Sequence, residues 1–398
     1  MKNNYSLFGL PEDVRFCSKC TISNQRPSSR IEFKNKDSKL ITGIKFIESV
    51  CSACVYNEKK KEIDWNLREK KLLEILNKYR KSSGYDCIVP GSGGKDSSYT
   101  AHILKYKYGM NPLTVTWSPH LYTDVGKKNF ENWITIGGFD NILFTPNGKL
   151  HRLLTRLAFI NLLHPFQPFI IGQKIIGPLI ALKFNIPLVI YGENQAEYGN
   201  KIEDNENYDM EQSFYSIKNK DEVILGGKKI LDIQKEFNFR FNDFNCYLPL
   251  DSKEVQDSNI RKIYLGYFTK WDPQEIYYYA AQNCGFLPNT ERTSGSFSKY
   301  SSIDDKIDYF HYYTTFIKFG IGRATYDSSQ EIRNGKITRD EGVALVRQFD
   351  SEFPHNYFKD FLNYISIDEN FFWDCVDRFR SPHLWEKKNK KWYLKHNV

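Results

Sequence analysis

The pattern of apolar and polar positions divides the chain into three kinds of text. Up to about residue 62, polar residues dominate and the apolar ones follow neither a helical nor a strand period. Asp64 then opens a helical stretch, Trp65 to Tyr79, which closes near Gly84. From Tyr85 short apolar runs alternate with amphipathic segments. They predict strands at Tyr85–Pro90, Pro112–Trp117, Asn141–Thr145 and Pro187–Tyr191. The helices between them are predicted at Asp96–Tyr108, Lys127–Ile136, Lys149–Leu163 and Ile175–Phe184. Strands that alternate with helices pair in parallel through right-handed crossovers. The expected fold is therefore a doubly wound α/β sheet, with ligands bound beyond the carboxyl ends of its strands.

Residues 200–260 carry no clear period and read as an insertion that shapes a substrate site. From about Gly266 the text is helical. Asp272-Pro273 is an N-cap followed by proline at the first helical position, and Gly285 is a C-cap. Thr338-Arg339-Asp340-Glu341 forms a capping box ahead of Gly342–Phe349. Three parts follow: 1–62, 63–265 with the insertion inside it, and a helical substrate subdomain at 266–398.

Composition changes this picture little. A chain of 398 residues, 40% hydrophobic and 16% aromatic, can bury more than one core. The charge excess, 56 − 48 = +8, is spread out. The runs Lys59–Lys61 and Lys387–Lys391 read as solvated surface rather than as a nucleic-acid track. No apolar run approaches the ~18 residues that cross a bilayer, and Met1–Tyr5 lacks the apolar core of a signal peptide. The expectation is a cytoplasmic protein with no membrane partner and no specific nucleic-acid partner. Its eight cysteines are then thiols or metal ligands.

Four constellations carry chemistry. Cys17-x-x-Cys20 and Cys51-x-x-Cys54, thirty residues apart, have the spacing of a closed tetrahedral Zn²⁺ site. Gly91-Ser92-Gly93-Gly94-Lys95-Asp96-Ser97 follows the first strand and opens a helix, an arrangement suited to phosphate. It lacks the spacing of a Walker loop. The order Ser-Gly-Gly-x-Asp-Ser instead resembles the pyrophosphate-binding PP-loop of ATP pyrophosphatases, which cut ATP between its α and β phosphates. Third, Glu193 and Glu197 lie just past the strand Pro187–Tyr191. They are either solvated acids or oxygen ligands for Mg²⁺ and contacts for a substrate amide. Fourth come Asp304-Asp305-Lys306 and Lys318-Phe319-Gly320-Ile321-Gly322-Arg323. There Lys318 and Arg323 are either surface charges or a clamp for anions.

Taken in order, Cys17–Cys20, Arg26-Pro27, Cys51–Cys54, the glycine loop, Tyr122-Thr123-Asp124-Val125-Gly126, Gly192-Glu193-Asn194 and Lys318–Arg323 resemble the N-acetyl sugar amidotransferases. The resemblance runs from about Phe16 to Pro354. It implies conversion of an acetamido group on a bacterial surface sugar to an acetamidino group, using ATP, Mg²⁺ and a structural Zn²⁺. Ammonia would come from a separate glutaminase resembling that of imidazole glycerol phosphate synthase. The resemblance assigns Gly91, Ser92, Gly93, Gly94, Lys95, Asp96 and Ser97 to the triphosphate and Trp117 to the neighbourhood of adenine. Asp96, Ser97, Glu193, Glu197, Lys318 and Arg323 are the catalytic candidates. The competing readings are a tRNA-modifying enzyme of the same loop type and a non-catalytic zinc-ribbon module that binds nucleotide.

Overall fold

The computed structural model describes residues 5–27, 43–193, 207–210, 212 and 215–398. Glu197 and the rest of the acidic loop after Glu193 lie outside these residues.

The N-terminal segment ends in a short hairpin and the helix α1 (Ser52–Lys60), followed by α2 (Trp65–Tyr79). Asp64 caps α2 by accepting from the Leu67 N–H at 3.0 Å. Five strands then form one sheet: β1 (Cys87–Pro90), β2 (Pro112–Trp117), β3 (Asn141–Phe144), β4 (Leu188–Tyr191) and β5 (Arg261–Tyr264). All pairings are parallel and the spatial order is β5-β4-β1-β2-β3. β1 and β2 are buried along their whole length, as expected for parallel strands covered on both faces. Between the strands run α3 (Lys95–His102), α4 (Asp124–Thr135), α5 (Gly148–Leu162) and α6 (Gln167–Phe184).

The chain winds outward from β1 through β2 to β3, then returns to the other side of β1 as β4. Such a reversal opens a crevice at the carboxyl ends of β1 and β4. The glycine loop follows β1, and Gly192-Glu193 follows β4. Topology alone therefore brings these two motifs to one place.

Three elements of this domain differ from the sequence expectation. α3 ends at His102 and passes into a π-helical turn, Ile103–Lys107, rather than continuing as one helix. α6 begins at Gln167, eight residues before the predicted start at Ile175. Its first turn, Pro168–Ile171, is wholly apolar and buried, so no amphipathic period marks it. β5, just past the insertion, is not among the predicted strands because its text, Arg-Lys-Ile-Tyr, does not read as a buried strand. Lys262 is nonetheless buried, with its ammonium 3.5 Å from the centre of the Tyr215 ring and donating to the Lys174 carbonyl at 3.3 Å. Burial, with Lys174 nearby, pushes its pKa well down.

Beyond the sheet come α7 (Pro273–Cys284), α8 (Asp308–Phe319), α9 (Arg323–Arg333), α10 (Arg339–Phe349), α11 (Phe358–Ile365) and α12 (Glu369–Arg378). The Asp272 cap, the left-handed Gly285 and the Thr338–Glu341 capping box stand where the sequence puts them. The C-terminal part is not wholly helical. It ends in an antiparallel hairpin, β6 (Trp385–Lys388) and β7 (Lys391–Leu394). Asn389 and Lys390 both have positive φ, the conformation that closes a two-residue hairpin. Among the described residues, no helix is long and apolar enough to cross a membrane.

The packing of α6 on β2 depends on one small residue. A Cβ at Gly172 would stand 2.3 Å from the Trp117 indole. Gly172→Ala is expected to cost about 1–3 kcal/mol through overpacking, read as a lower urea midpoint. Gly148→Ala is the matched control, because a Cβ there meets nothing within 4 Å. Equal midpoints for the two variants would show that the contact is not tight.

Candidate functional site

A cavity of about 470 Å³ opens at the crevice, a size suited to a small ligand. Ser92, Gly94, Lys95 and Asp96 form one side of it, and Glu193 lines it beside them. Gly93 has φ +85°, and a Cβ there would stand 2.8 Å from the Asn129 carbonyl oxygen and the Phe130 Cα. Only glycine fits both conditions. α3 has Gly94 as its N-cap and no side-chain cap, so its first-turn N–H groups are left for a ligand.

The loop residues divide into two groups. Lys95 donates to both oxygens of Asp96, at 2.7 and 2.6 Å. Ser97 does not line the cavity; its hydroxyl donates to the Gly94 carbonyl at 3.0 Å and its Cβ fills the space beside Gly91. Gly91, Gly93 and Ser97 thus shape the loop from behind, while Ser92, Gly94, Lys95 and Asp96 face the ligand space.

The opposite wall comes from the C-terminal part. Asp304 accepts from the Ser92 hydroxyl at 2.8 Å. Asp305 is almost wholly buried and accepts from the His120 N–H and ring Nδ1, both at 2.7 Å, from Leu121 N at 3.3 Å and from Ile307 N at 2.9 Å. The Tyr122–Gly126 motif explains how this wall approaches. Thr123 caps α4 by accepting from Gly126 N at 2.9 Å and also donates to the Ile303 carbonyl. A Cβ at Gly126 would lie 2.4 Å from the Asp304 Cα.

Burial and neighbouring charges shift the acids of the cavity. Burial, together with Asp308 and Asp305, pushes the Asp304 carboxyl up to about 6, against the Ser92 hydrogen bond. Burial acts on Asp308 in the same sense. The His311 contact at 3.3 Å, Ser302 and Arg323 outweigh it and hold Asp308 below the usual carboxylate range. Arg323 lies 3.0 Å from Asp327 and 4.4 Å over the Tyr312 ring. Burial opposes its charge, but Asp327, Tyr312 and Asp308 outweigh that and raise its pKa. Behind it, Asp350 accepts from the Gly322 and Thr325 N–H groups, both at 2.9 Å, and so holds the start of α9.

Two predicted residues lie elsewhere. Lys318 does not line the cavity; its ammonium donates to the Leu162 carbonyl at 3.1 Å, at the end of α5. Trp117 is buried in the core, stacked on Phe144 at 5.3 Å and edge-on to Tyr247 at 5.4 Å. Residues outside these candidates also line the space, among them Arg26, Asp304, Asp308, Tyr312 and Tyr326. Arg26-Pro27 and Asp304-Asp305 were visible as motifs. Tyr312 and Tyr326 were not: Tyr312 is one of many aromatics on α8, and Tyr326 is a lone tyrosine on a polar helix, so neither carries a local mark.

The cysteine spacing resolves into a cluster. Cys17, Cys20, Cys51 and Cys54 are all buried, with their sulfurs within 4.8 Å of one another. Tetrahedral Zn²⁺ with ~2.3 Å bonds spaces sulfurs roughly 3.8 Å apart, and Cys20 and Cys51 stand at 3.7 Å. Cys17 Sγ also accepts from Lys19 N at 3.4 Å and Cys51 N at 3.3 Å. The donor set fits zinc, which would brace a segment with a small core of its own.

Two outcomes test this geometry. Protein purified without chelators should carry about one zinc per chain, and Cys20→Ser should lower both metal content and stability in the same preparation. The Asp304 carboxyl is protonated more readily in the folded chain than in the unfolded one. Its ionised form therefore costs stability, not at all well below pH 4 and fully above about pH 6. Asp304→Asn should then stabilise the fold by on the order of 1–2 kcal/mol at pH 7.5, with the gain vanishing at low pH. Urea unfolding across this range checks it; a gain independent of pH would count against the carboxylate.

Residues 294–397 match the sequence family described as "LPS biosynthesis protein WbpG-like, C-terminal domain". The chain is also similar to the uncharacterized protein MJ1599 of Methanocaldococcus jannaschii, 34% identical over 86 residues, covering 16% of this chain and 31% of the relative. The chain thus spans about a third of the length of that curated relative. The matched C-terminal segment contains Asp304, Asp308, Tyr312 and Arg323. The wall facing the glycine loop is therefore built on a segment similar to the C-terminal domain of lipopolysaccharide biosynthesis proteins.

Proposed function

We propose that the protein is an ATP-dependent amidotransferase of surface-glycan biosynthesis, which converts an acetamido group of a sugar to an acetamidino group. One observation carries this reading. A glycine-rich loop and an uncapped helix N-terminus share a cavity with a wall similar to a lipopolysaccharide biosynthesis domain.

The chemistry sets what the residues must do. An acetamide is a poor electrophile, so its oxygen first attacks the α-phosphorus of ATP and pyrophosphate leaves. Ammonia then adds to the activated carbon, and AMP departs with the oxygen while the nitrogen loses protons. The first-turn N–H groups of α3 and the Ser92 hydroxyl would hold the β and γ phosphates. Lys95 would offset charge on the departing pyrophosphate. Asp96, Glu193 and Asp304 line the cavity near the loop and suit Mg²⁺, which would neutralise the phosphates when bound. Free ammonia is itself a nucleophile, so the addition requires no general base.

Ammonia would be supplied by a separate glutaminase. The thiols outside the metal cluster support an outside source. Burial pushes the Cys87 and Cys375 thiols up, and those of Cys246 and Cys284 up to about 12. None is poised as the thiolate that glutamine hydrolysis or thiolation needs.

ATP should be split to AMP and pyrophosphate, with Ser92→Ala and Asp96→Asn lowering turnover by about 10²-fold or more while urea midpoints hold. Stoichiometric ADP would mean that the loop has been misread. With ATP, Mg²⁺ and an ammonium salt, a nucleotide-linked or free N-acetylated sugar should lose ~1 Da as oxygen is exchanged for NH. Glutamine should not replace ammonium. Mass spectrometry across a sugar panel decides the point: inert sugars together with a newly modified base in bulk tRNA would favour tRNA modification.

A further inference from the structure

Behind the part of the cavity lined by Phe166 and His311 lies a layer of buried rings. His311 stacks on His164 at 4.8 Å and on Phe166 at 5.5 Å. Phe166 packs on Phe169 at 4.5 Å, and His120 lies 5.3 and 5.5 Å from these two rings. His120 stacks in turn on His151 at 4.5 Å. His151 leads through Trp117, 6.1 Å away, to Phe144 at the end of β3. Phe144 is only half-buried, so the row passes through the core from the cavity to a partly exposed ring.

The layer is aromatic, yet it holds unused polar atoms. Trp117 Nε1, His120 Nε2, His151 Nε2, His164 Nε2 and Gln167 Nε2 are buried and have no hydrogen-bond partner among the described residues. The residues that carry them are at most 9% exposed. One such atom costs about 1–3 kcal/mol, and isolated cases occur in most proteins. Five in one contiguous layer call for a common cause. The other end of several of these side chains is already committed. Asp305 accepts from His120 Nδ1, so that nitrogen carries the proton and the neutral ring offers a bare lone pair at Nε2. Gln167 Oε1 accepts from Gly226 N at 3.0 Å, which leaves its Nε2 as a donor. An indole Nε1 is always a donor. His151 Nδ1 stands 2.6 Å from the Tyr247 hydroxyl, which burial keeps protonated. The layer therefore offers both donors and an acceptor to a guest small enough to lie among the rings.

We propose that these nitrogens bind ammonia, and that the layer holds the nucleophile of the amidotransfer before it enters the cavity. The assignment rests on the amidotransferase reading and adds where its nitrogen is kept. Ammonia has a single heavy atom. Its lone pair can accept from Trp117 or Gln167, and its N–H groups can donate to the imidazole lone pair of His120. The layer also selects the form that reacts. Burial, and then His120, push the His151 ring well below the usual imidazole range; burial, His311 and Lys318 do the same to His164. Surroundings that disfavour a charged imidazole disfavour ammonium in the same way. Ammonia that stays neutral keeps its lone pair, in accord with an addition that needs no general base. Water makes similar hydrogen bonds and is the guest that ammonia must displace.

One test reads the site itself. The full-length, zinc-loaded protein is labelled with ¹⁵N-histidine and titrated at pH 8.5 with ammonium chloride, or with sodium chloride at equal ionic strength. The Nε2 signals of His120 and His151, assigned by substitution, should move saturably with ammonium and stay in place with sodium. Signals that ammonium does not move overturn the site, and a layer that holds water alone gives this result. His151→Asn keeps a partner for Tyr247 at the Nδ1 position and removes Nε2. It should weaken the His120 response by about threefold or more; if it does not fold, the wild-type titration decides alone. The second test reads delivery, by following AMP formation from ATP and an N-acetylated sugar against ammonium concentration. His151→Asn should raise the KM for ammonium by about threefold or more, with the KM for ATP unchanged. An unmoved KM for ammonium in a folded, active variant overturns the proposal. AMP formation without any movement of the histidine signals sinks the ammonia site alone. Moving signals in a protein that forms no AMP with any sugar sink the reaction and keep the site.

Discussion

Everything at the candidate site depends on the docking of one dipeptide, Asp304-Asp305, onto the carboxyl ends of β1 and β2. Asp305 is almost fully buried yet accepts four hydrogen bonds, three of them from His120 and Leu121 just after β2. An ionised carboxylate out of water is tolerable only when its lone pairs are satisfied in this way. Asp304 turns the other way and takes the Ser92 hydroxyl of the glycine loop. Two adjacent acids thus fix the C-terminal wall against the sheet, one by structure and one at the site. Gly126 makes the approach possible, since any side chain there would collide with the Asp304 backbone.

The same constraint explains the charge pattern of the cavity. Bringing several acids to one wall raises Asp304 and Glu331, while His311, Ser302 and Arg323 hold Asp308 down. Glu331 is pushed up by burial and by its acidic neighbours, against the Tyr300 hydroxyl that donates to it at 3.1 Å. Charges poised in this way sit where stability is given up for a binding surface. The terminal segments enclose the arrangement. Gln25 Oε1 accepts from His383 Nε2 at 2.8 Å, and Phe8 packs edge-on to Phe319 at 5.5 Å, so N-terminal residues lie against α8 and the stretch just ahead of the C-terminal hairpin.

Much of the fold was legible in the chain. Four parallel strands, the helices between them, the α7 and α10 caps and the cysteine pairing follow from short-range rules, because each depends on residues within a few positions of one another. The glycine loop was legible for the same reason: its turn, its helix and its strand are contiguous. What escaped was set by distant partners. β5 is a strand because β4 offers it an edge, and Lys262 is buried because Tyr215 and Tyr191 are there to cover it. Ser97 and Trp117 have side chains of a type that can serve a nucleotide, but the Gly94 carbonyl and the Gly172 gap claim them for packing.

The sequence by itself determined which local pieces exist: the parallel sheet, its phosphate-type loop, the four-thiol set and the capped helices. Only the tertiary structure decided which pieces meet. It put Arg26 rather than Lys318 on the lining of the cavity, and it placed Asp304 on Ser92 across more than two hundred residues of chain. The reason is physical. Local structure is fixed by backbone geometry and side-chain period, which neighbours in sequence encode. The composition of a cavity is fixed by the docking of remote surfaces, and no single segment carries that information.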